Sequence, residues 1–304
     1  MSYPRIFPRR FVPGAGRGRG FSRRRARFEH WITRLYRGGW PARLARAVGL
    51  QRSLAVRWHR FELPDWPAGT PPLQVAFASD FHAGPTTADA LLAEAAAALT
   101  DAEPDLLLLG GDFVSYQAAH VDRVAPLLGR VPARLGRYAV LGNHDLWADD
   151  RVIVAALEAA GIEVLVNRAV ALPPPWDRVS LVGLDDFTTG EPDPQVAGVG
   201  AAPFRLVLMH DPSTLLALAE RRFALAFAGH THGGQICLPG GFPLLVPEGP
   251  LARRYVGGTY HVGGGRRLLV SRGVGCGELP VRLFAPSEVH LCHLGPVNSR
   301  RPGR

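Results

Sequence analysis

Leu73-Gln74-Val75-Ala76-Phe77-Ala78-Ser79-Asp80 is the stretch that decides the fold. Five of its first six residues are apolar, and the run stops at a serine and a carboxylate. A short, nearly continuous apolar run is how a strand buried on both faces reads. An Ala- and Leu-rich stretch over 87–100 follows, and its composition favours a helix. The same cadence recurs downstream. Leu106–Leu109 ends at Gly110-Gly111-Asp112, and a helix is expected over about 120–130. The run 138–141 ends at Gly142-Asn143-His144-Asp145, and a helix over 149–160 leads to an apolar run at 163–166. Strand then helix, repeated, marks an α/β sheet.

The second half changes rhythm. A strand over 179–184 ends at Asp185-Asp186, and a polar loop with Pro and Gly fills 188–202. A strand over 204–209 ends at His210. A helix over 212–220 leads to the apolar run 223–228 and then to Gly229-His230-Thr231-His232-Gly233-Gly234-Gln235. Hairpin-like segments at 258–263, 267–271 and 287–293 finish the pattern. The expected architecture is α/β, with two mixed β-sheets packed face to face and helices outside. No internal repeat and no second domain is visible.

Charge divides the chain. Residues 1–60 hold 16 arginines and one acid, Glu29, whereas the remainder nets −6. The expected organisation is a basic arm over 1–60, partly disordered and partly amphipathic-helical, and one domain over 61–304. Residues 1–22, with Gly16-Arg17-Gly18-Arg19-Gly20, offer too little apolar surface to order themselves. Phe28, Trp31, Ile32, Leu35 and Tyr36 share a helix face, Gly38-Gly39 breaks it, and Pro41 suits the start of a second helix. These helices either cover the domain or lie on an anionic membrane surface through residues 23–48. Residues 54–63 alternate apolar and polar, as an edge strand does.

Three cysteines without C-x-x-C spacing argue against a disulfide framework. No apolar stretch is long enough for a membrane-spanning helix. Arg9-Arg10 is followed by glycine and arginine rather than an apolar segment, so a twin-arginine leader is not expected. The expectation is a cytoplasmic protein, peripheral on the inner membrane face if the arm binds lipid.

Asp80, Asp112, Asn143, His210 and His230 each stand just after an apolar run, with His82, His144, Asp145 and His232 beside them. Ligands of open α/β sheets bind beyond the carboxyl ends of the strands. Any one of these residues could cap a helix or sit in a turn; all of them together, so placed, point to a site. Carboxylates, imidazoles and one amide oxygen suit manganese, iron, zinc or magnesium rather than a thiolate metal. Asp80, His82, Asp112, Asn143, His210, His230 and His232 are too many for one ion, and make two four-ligand sets if Asp112 is shared. Two metals about 3.5–4 Å apart clamp the attacking and leaving oxygens of an in-line phosphoryl displacement.

Asp80-x-His82, Gly111-Asp112, Gly142-Asn143-His144-Asp145, His210 and Gly229-His230-Thr231-His232, in this order, resemble the calcineurin-like metallophosphoesterase family over about residues 73–293. The resemblance implies the family's four-layer sandwich and a dinuclear centre of two divalent ions, manganese first among them. It assigns one ion to Asp80, His82, Asp112 and His232, and the other to Asp112, Asn143, His210 and His230. It sets His144 over the substrate phosphate, with Asp145 orienting it. The extended Gly-His-Thr-His-Gly-Gly-Gln ending, Ser271-Arg272-Gly273-Val274-Gly275 and Leu279-Pro280-Val281-Arg282 resemble a bacterial branch that includes exported phosphatases and lipid A pathway diphosphatases.

The leading expectation is therefore a hydrolase of phosphate esters or diphosphates. Its substrate is a phosphate-containing small molecule or lipid, for which an amphiphilic nucleotide-lipid such as UDP-diacylglucosamine is attractive because of the arm. The alternatives are a soluble phosphodiesterase or nuclease, and a non-catalytic scaffold. Arg-Gly repeats can bind RNA, but the acidic balance of the domain and the lack of a basic, aromatic-interleaved groove disfavour nucleic acid. A scaffold should have lost some ligand residues, and none is missing. Asp185-Asp186 either holds site histidines in place or caps a loop. Every candidate ligand lies beyond residue 79, so deletion of residues 1–48 is expected to spare hydrolysis of a small soluble ester.

Overall fold

The computed structural model describes residues 15–219 and 221–297. Two helices come first, α1 (Arg23–Leu35) and α2 (Trp40–Ala47). Then follow β1 (Ala55–Glu62), β2 (Leu73–Ala78), α3 (Asp89–Asp101), β3 (Leu106–Leu109), α4 (Ala125–Leu128), β4 (Arg137–Ala139), α5 (Asn143–Ala148), α6 (Asp150–Ala159) and β5 (Glu163–Val164). The strands of the second half are β6 (Arg168–Ala171), β7 (Val179–Gly183), β8 (Phe204–Leu208), β9 (Leu225–Ala228), a small hairpin of β10 (Cys237–Leu238) and β11 (Phe242–Pro243), then β12 (Gly258–His261), β13 (Arg267–Val270) and β14 (Glu288–Gly295), with single helical turns at Pro194–Ala197 and Leu215–Leu218.

The strands form two six-stranded mixed sheets, ordered β1-β14-β2-β3-β4-β5 and β12-β13-β9-β8-β7-β6. Parallel pairs occupy the centre of each, with Val75 opposite Leu106 in one and Leu206 opposite Leu225 in the other. Strict alternation sorts each apolar run onto two faces. Val75, Phe77, Leu106 and Leu108 face Leu181, Leu206, Leu208 and Phe227 of the other sheet. Ala76, Ala78, Leu107 and Leu109 pack outward under α3, α4 and α6. Val182, Val207, Ala226 and Val270 are buried on the far face of the second sheet. Complete burial of each large side chain contributes about 1.5–3 kcal/mol, which explains why the central strands carry so few polar residues.

Three features differ from the sequence expectation. The segment at 287–293 does not continue the β12-β13 hairpin; as β14 it crosses to the first sheet, between β1 and β2. Its inward Cys292 and Leu294 complete the inter-sheet core there. The helices expected over 120–130 and 212–220 are each a 3₁₀ turn followed by a single α-turn, α4 in the first case and Leu215–Leu218 in the second. Asn143 begins α5 rather than merely ending a strand.

The arm is joined to the domain. The boundary at residue 60 falls within β1, which pairs with β14 along its whole length at the sheet edge. Residues 1–14 of the glycine- and arginine-rich run lie outside the described residues. The described remainder runs along α5: Gly18 donates its N–H to the Leu146 carbonyl and Trp147 donates its indole N–H to the Arg19 carbonyl. A β-carbon on Gly16 would stand 2.0 Å from that Leu146 oxygen, so only glycine permits the approach. Arg17 supplies the charge, reaching Asp185 with two guanidinium nitrogens at 2.7 and 2.8 Å and Asp150 with a third at 3.2 Å. Ion pairing thus does what apolar area could not.

The helices pack on the domain through their smaller residues and Glu29. Glu29 and Ile32 of α1 and Pro41, Ala42 and Ala45 of α2 are buried. The larger apolar side chains, Phe28, Trp31, Leu35, Trp40, Leu44 and Val48, stay exposed, Trp31 by 61%.

Candidate functional site

The carboxyl ends of the central strands of both sheets converge at one edge. β2, β3 and β4 lead to Asp80, His82, Asp112 and Asn143; β8 and β9 lead to His210, His230 and His232. Beyond β2 and β3 the loops remain zipped together: the N–H groups of Asp80 and His82 donate to the carbonyls of Gly111 and Asp112. Five of these seven residues hold a left-handed backbone: Asp80 (φ 54°), His82 (46°), Asp112 (54°), His230 (69°) and His232 (53°). Such residues cost on the order of 1 kcal/mol each and gather where function over-determines them. Gly142 is required for the approach of Asn143, since a β-carbon there would stand 2.2 Å from Asp112 Oδ1.

The seven side chains fall into two groups that share Asp112. Ligand atoms of Asp80, His82, Asp112 and His232, all four residues buried, lie within 4.8 Å of one another. His82 Nε2 is 2.9 Å from His232 Nε2 and 3.4 Å from Asp112 Oδ2. In the second group, Asp112 Oδ2 is 3.4 Å from His210 Nε2, and Asn143 Oδ1 is 3.2 Å from that nitrogen and 3.0 Å from His230 Nδ1.

Backbone carbonyls fix the tautomers. His210 donates Nδ1–H to the Gly110 carbonyl at 2.7 Å, and His230 donates Nε2–H to the Glu248 carbonyl at 2.9 Å. Their other ring nitrogens then present lone pairs, only 3.3 Å apart, beside an amide oxygen and a carboxylate oxygen. Four acceptors facing one another need a cation between them, and carbonyl-anchored imidazoles are the usual arrangement around a metal. In the first group His82 Nδ1 is buried without a hydrogen-bond partner, another unmet polar atom in the cluster. The donor set therefore fits divalent ions at both groups.

Charge follows the same logic. Burial opposes ionisation throughout, but His210 and His144 beside Asp112 hold its carboxyl well below the usual range. The carboxylates of Asp112, Asp80 and Asp186 outweigh burial at His210 and raise it well above the ordinary imidazole value, so the negative charge that favours a metal ion at Nε2 favours a proton there in its place. Asp80 is raised, by burial first.

His144 faces this cluster, its ring 4.7 Å from that of His82 and edge-on to it. Burial, with His82 and Arg25, lowers its pKa to about 3 against the pull of Asp112. It donates Nδ1–H to the Ser115 carbonyl at 2.7 Å, leaving Nε2 as the free ring nitrogen. The expected role of Asp145 needs correction: its carboxylate does not reach the imidazole. Asp145 sits in the first turn of α5, so its side chain turns back to accept from the N–H groups of Gly142, Phe113 and Val114. It binds the loops after β3 and β4 to each other, and Ser115 orients His144. Asp185-Asp186 makes no hydrogen bond to a site histidine, although the Asp186 carboxylate lies close enough to help raise His210. Asp186 caps Thr188 and Thr189, and Asp185 receives Arg17.

Three contributions were not read from the sequence. Arg282, 5% exposed, donates to the carbonyls of His232, Arg272, Gly275 and Ala285 and so moulds the His-x-His turn. Gln235 clasps the loop at Gly277 and Leu279. From the arm, the Arg25 guanidinium lies 4.0 Å over the ring of Trp147, which contacts His144, and pairs with Glu29 and Glu278. Gln235 and Arg282 stand in motifs quoted above without a role; long-range contacts to Trp147 and Glu278 leave no local pattern.

A cluster of carboxylates and imidazoles able to hold metal, at the joined edges of two parallel-centred sheets, is the donor set of a metal-dependent hydrolase. The chain belongs to the calcineurin-like phosphoesterase family, whose model matches residues 73–234. It is similar to phosphodiesterase YaeI of Escherichia coli, at 34% identity over 235 residues, 73% of this chain and 82% of that one. It is also similar to the metallophosphoesterase YkuE of Bacillus subtilis, at 31% identity over 208 residues, 66% and 71% of the two chains. Among solved structures, Haemophilus influenzae NAD nucleotidase aligns at a TM-score of 0.44 and 14% identity, covering 67% of this chain and 45% of that one.

Proposed function

We propose that this phosphoester hydrolase works with two divalent ions, manganese first among the candidates, and acts on an amphiphilic phosphate ester or diphosphate at an anionic membrane surface. The observation that carries the two-ion reading is the convergence of His210 Nε2, His230 Nδ1, Asn143 Oδ1 and Asp112 Oδ2, with Asp112 also within reach of His82. Asp80, His82, Asp112 and His232 would hold one ion and Asp112, Asn143, His210 and His230 the other. Ions so held supply a nucleophile from water at neutral pH and neutralise charge on the phosphoryl oxygens. His144, with Nδ1–H held by Ser115, would serve a substrate phosphoryl or leaving oxygen through Nε2 only once that nitrogen takes a proton, which burial disfavours and the negative charge of a bound phosphate favours. Asp145 and Arg282 hold the loops on which these groups stand.

Two exposed apolar patches support an amphiphilic substrate. One is the outer face of α1 and α2. The other is the β10-β11 hairpin and the loop beyond Glu278, where Phe242, Leu245 and Phe284 are exposed and the Cys237 N–H donates to the Leu283 carbonyl. The His230-to-Gln235 turn runs directly into that hairpin, and Arg25–Glu278 joins the loop to α1. Contiguous exposed apolar surface beside a site marks an interaction face. Arginines on the arm complement anionic lipid, and this favours a peripheral position on the inner membrane face.

The experiment is a turnover screen of the manganese-loaded protein against phosphomonoesters, phosphodiesters, nucleotide-diphosphate lipids and RNA. Preference for the amphiphilic diphosphate supports the reading. Fastest turnover of a soluble diester or RNA removes the lipid part of it.

A further inference from the structure

Away from the ligand cluster, a cavity of ≈690 Å³ lies between the arm helices and the loops that follow β2 and β3. Arg37, Arg43, Arg46 and Arg123 line it, together with Tyr36. We propose that this cavity is a second, non-catalytic anion site that takes a phosphate group. The inference does not depend on the hydrolase reading, because no residue of the ligand cluster lines the cavity.

Four guanidinium groups meet a single lining carboxylate, Asp89. Asp89 is taken by Arg123, and Glu94, outside the cavity, is taken by Arg46. That leaves Arg37 and Arg43 without an acid. Arg43 donates to the Gly38 carbonyl, a neutral partner. Arg37 has no hydrogen-bond or ion-pair partner among the described residues. Residues 1–14 contain no acidic side chain that could serve. Arg37 and Arg43 are both exposed on the lining of the cavity, where they attract an anion that enters it. Guanidinium groups match phosphate in both geometry and charge. The start of α2 adds to the positive field: Gly38 and Gly39 line the cavity, and the helix begins there with no side-chain cap.

Phosphate could come from a lipid headgroup, since the outer side of the same helices is the exposed apolar face, or from solution as free phosphate. The test uses the metal-loaded full chain and the variant Arg37→Gln/Arg43→Gln. Inorganic phosphate is titrated calorimetrically, with turnover of bis(p-nitrophenyl) phosphate followed in parallel. The wild type should show a binding event beyond that of the metal centre. The variant should lose that event, its affinity weakened roughly tenfold or more, with turnover unchanged. Co-sedimentation with vesicles of phosphatidylcholine plus phosphatidic acid, against phosphatidylcholine plus phosphatidylserine at matched charge, then assigns the source. Loss of a phosphatidic acid preference in the variant points to the headgroup, and no change on either vesicle points to free phosphate. If the double variant unfolds, the exposed Arg37→Gln alone replaces it. Equal phosphate binding in variant and wild type overturns the proposal, and so does loss of both events together. Absent turnover in a wild type that keeps the second event would instead count against the hydrolase reading alone.

Discussion

At the residue scale the separation of tasks between His144 and Asp145 is the sharpest consequence of the geometry. The His144 ring is held by a backbone carbonyl, and only its main-chain N–H meets a ligand residue, Asp112 Oδ1 at 2.9 Å, so His144→Ala should keep its metal. Turnover should fall by roughly 10²–10⁴-fold if its Nε2 serves the leaving oxygen. Metal analysis alongside steady-state rates checks this, and a metal-depleted His144→Ala protein contradicts it. Asp145→Ala should behave as a structural lesion. It strands the Gly142, Phe113 and Val114 N–H groups in a buried place, at about 1–3 kcal/mol for each group left unsatisfied. Its unfolding temperature should therefore drop, whereas that of His144→Ala should not. These two neighbours look alike in sequence, both polar and both beyond an apolar run. Only the first turn of α5, six residues long and without apolar periodicity, sends one side chain into the site and the other back to the loops. The seven ligand candidates were legible because each follows a buried strand. The left-handed backbone at Asp80, His82 and Asp112 was not, because it results from loops pulled together across two sheets.

At the element scale α1 is the informative case. Its spacing announced an apolar face of Phe28, Trp31, Ile32, Leu35 and Tyr36; of these Ile32 is buried, whereas Phe28, Trp31 and Leu35 stay exposed among Arg24, Arg27 and Arg34. What periodicity could not convey is that Glu29, on the opposite side, is the buried anchor. Burial raises Glu29 to about 7 from 4.5, against the pull of Arg25 and with Glu278 adding to the rise. The folded state therefore keeps a proton between pH 4.5 and 7 that the unfolded chain has released, and stability declines as pH rises through that window. Glu29→Gln stays neutral throughout, so its stability relative to wild type should improve from pH 5 to pH 8. Thermal unfolding of both proteins at the two pH values measures this; a constant difference would mean that Glu29 is ionised in the fold at both. β14 is the converse example. Its apolar run was plain, yet its sheet was not, since pairing with β1 and β2 is settled by the shape of the core around Cys292 and Leu294.

At the scale of the whole molecule the arm changes meaning. A basic segment outside the motif-bearing domain reads as an appendage, but Arg17 pairs with Asp150 and Asp185, and Arg25 stacks on Trp147 beside His144. Removal of residues 1–48 should thus disturb α5 and uncover the surface beneath Ile32, Ala42 and Ala45, so deletion is a poor test of membrane binding. Trp31→Ser with Trp40→Ser is a better one, because both rings are exposed. Each loses about 1.5–3 kcal/mol of apolar burial if it sits in lipid. The double variant should leave anionic vesicles at lower salt than wild type while hydrolysing a small ester at the same rate. Equal pelleting of the two proteins would show that this face meets something other than lipid.

The two-ion centre itself is tested most directly by counting metal. Wild-type protein, its Asp112→Asn variant and chelated wild type are each dialysed against manganese-free buffer, then assayed for bound metal and for hydrolysis of bis(p-nitrophenyl) phosphate. Asp112 is the one side chain common to both ligand groups. The expected result is a pair of ions per chain in wild type, loss of both ions and of turnover in Asp112→Asn, and recovery of the chelated wild type, but not the variant, on return of manganese. Full turnover in excess chelator with no bound metal, or an Asp112→Asn protein that keeps both ions, would contradict it.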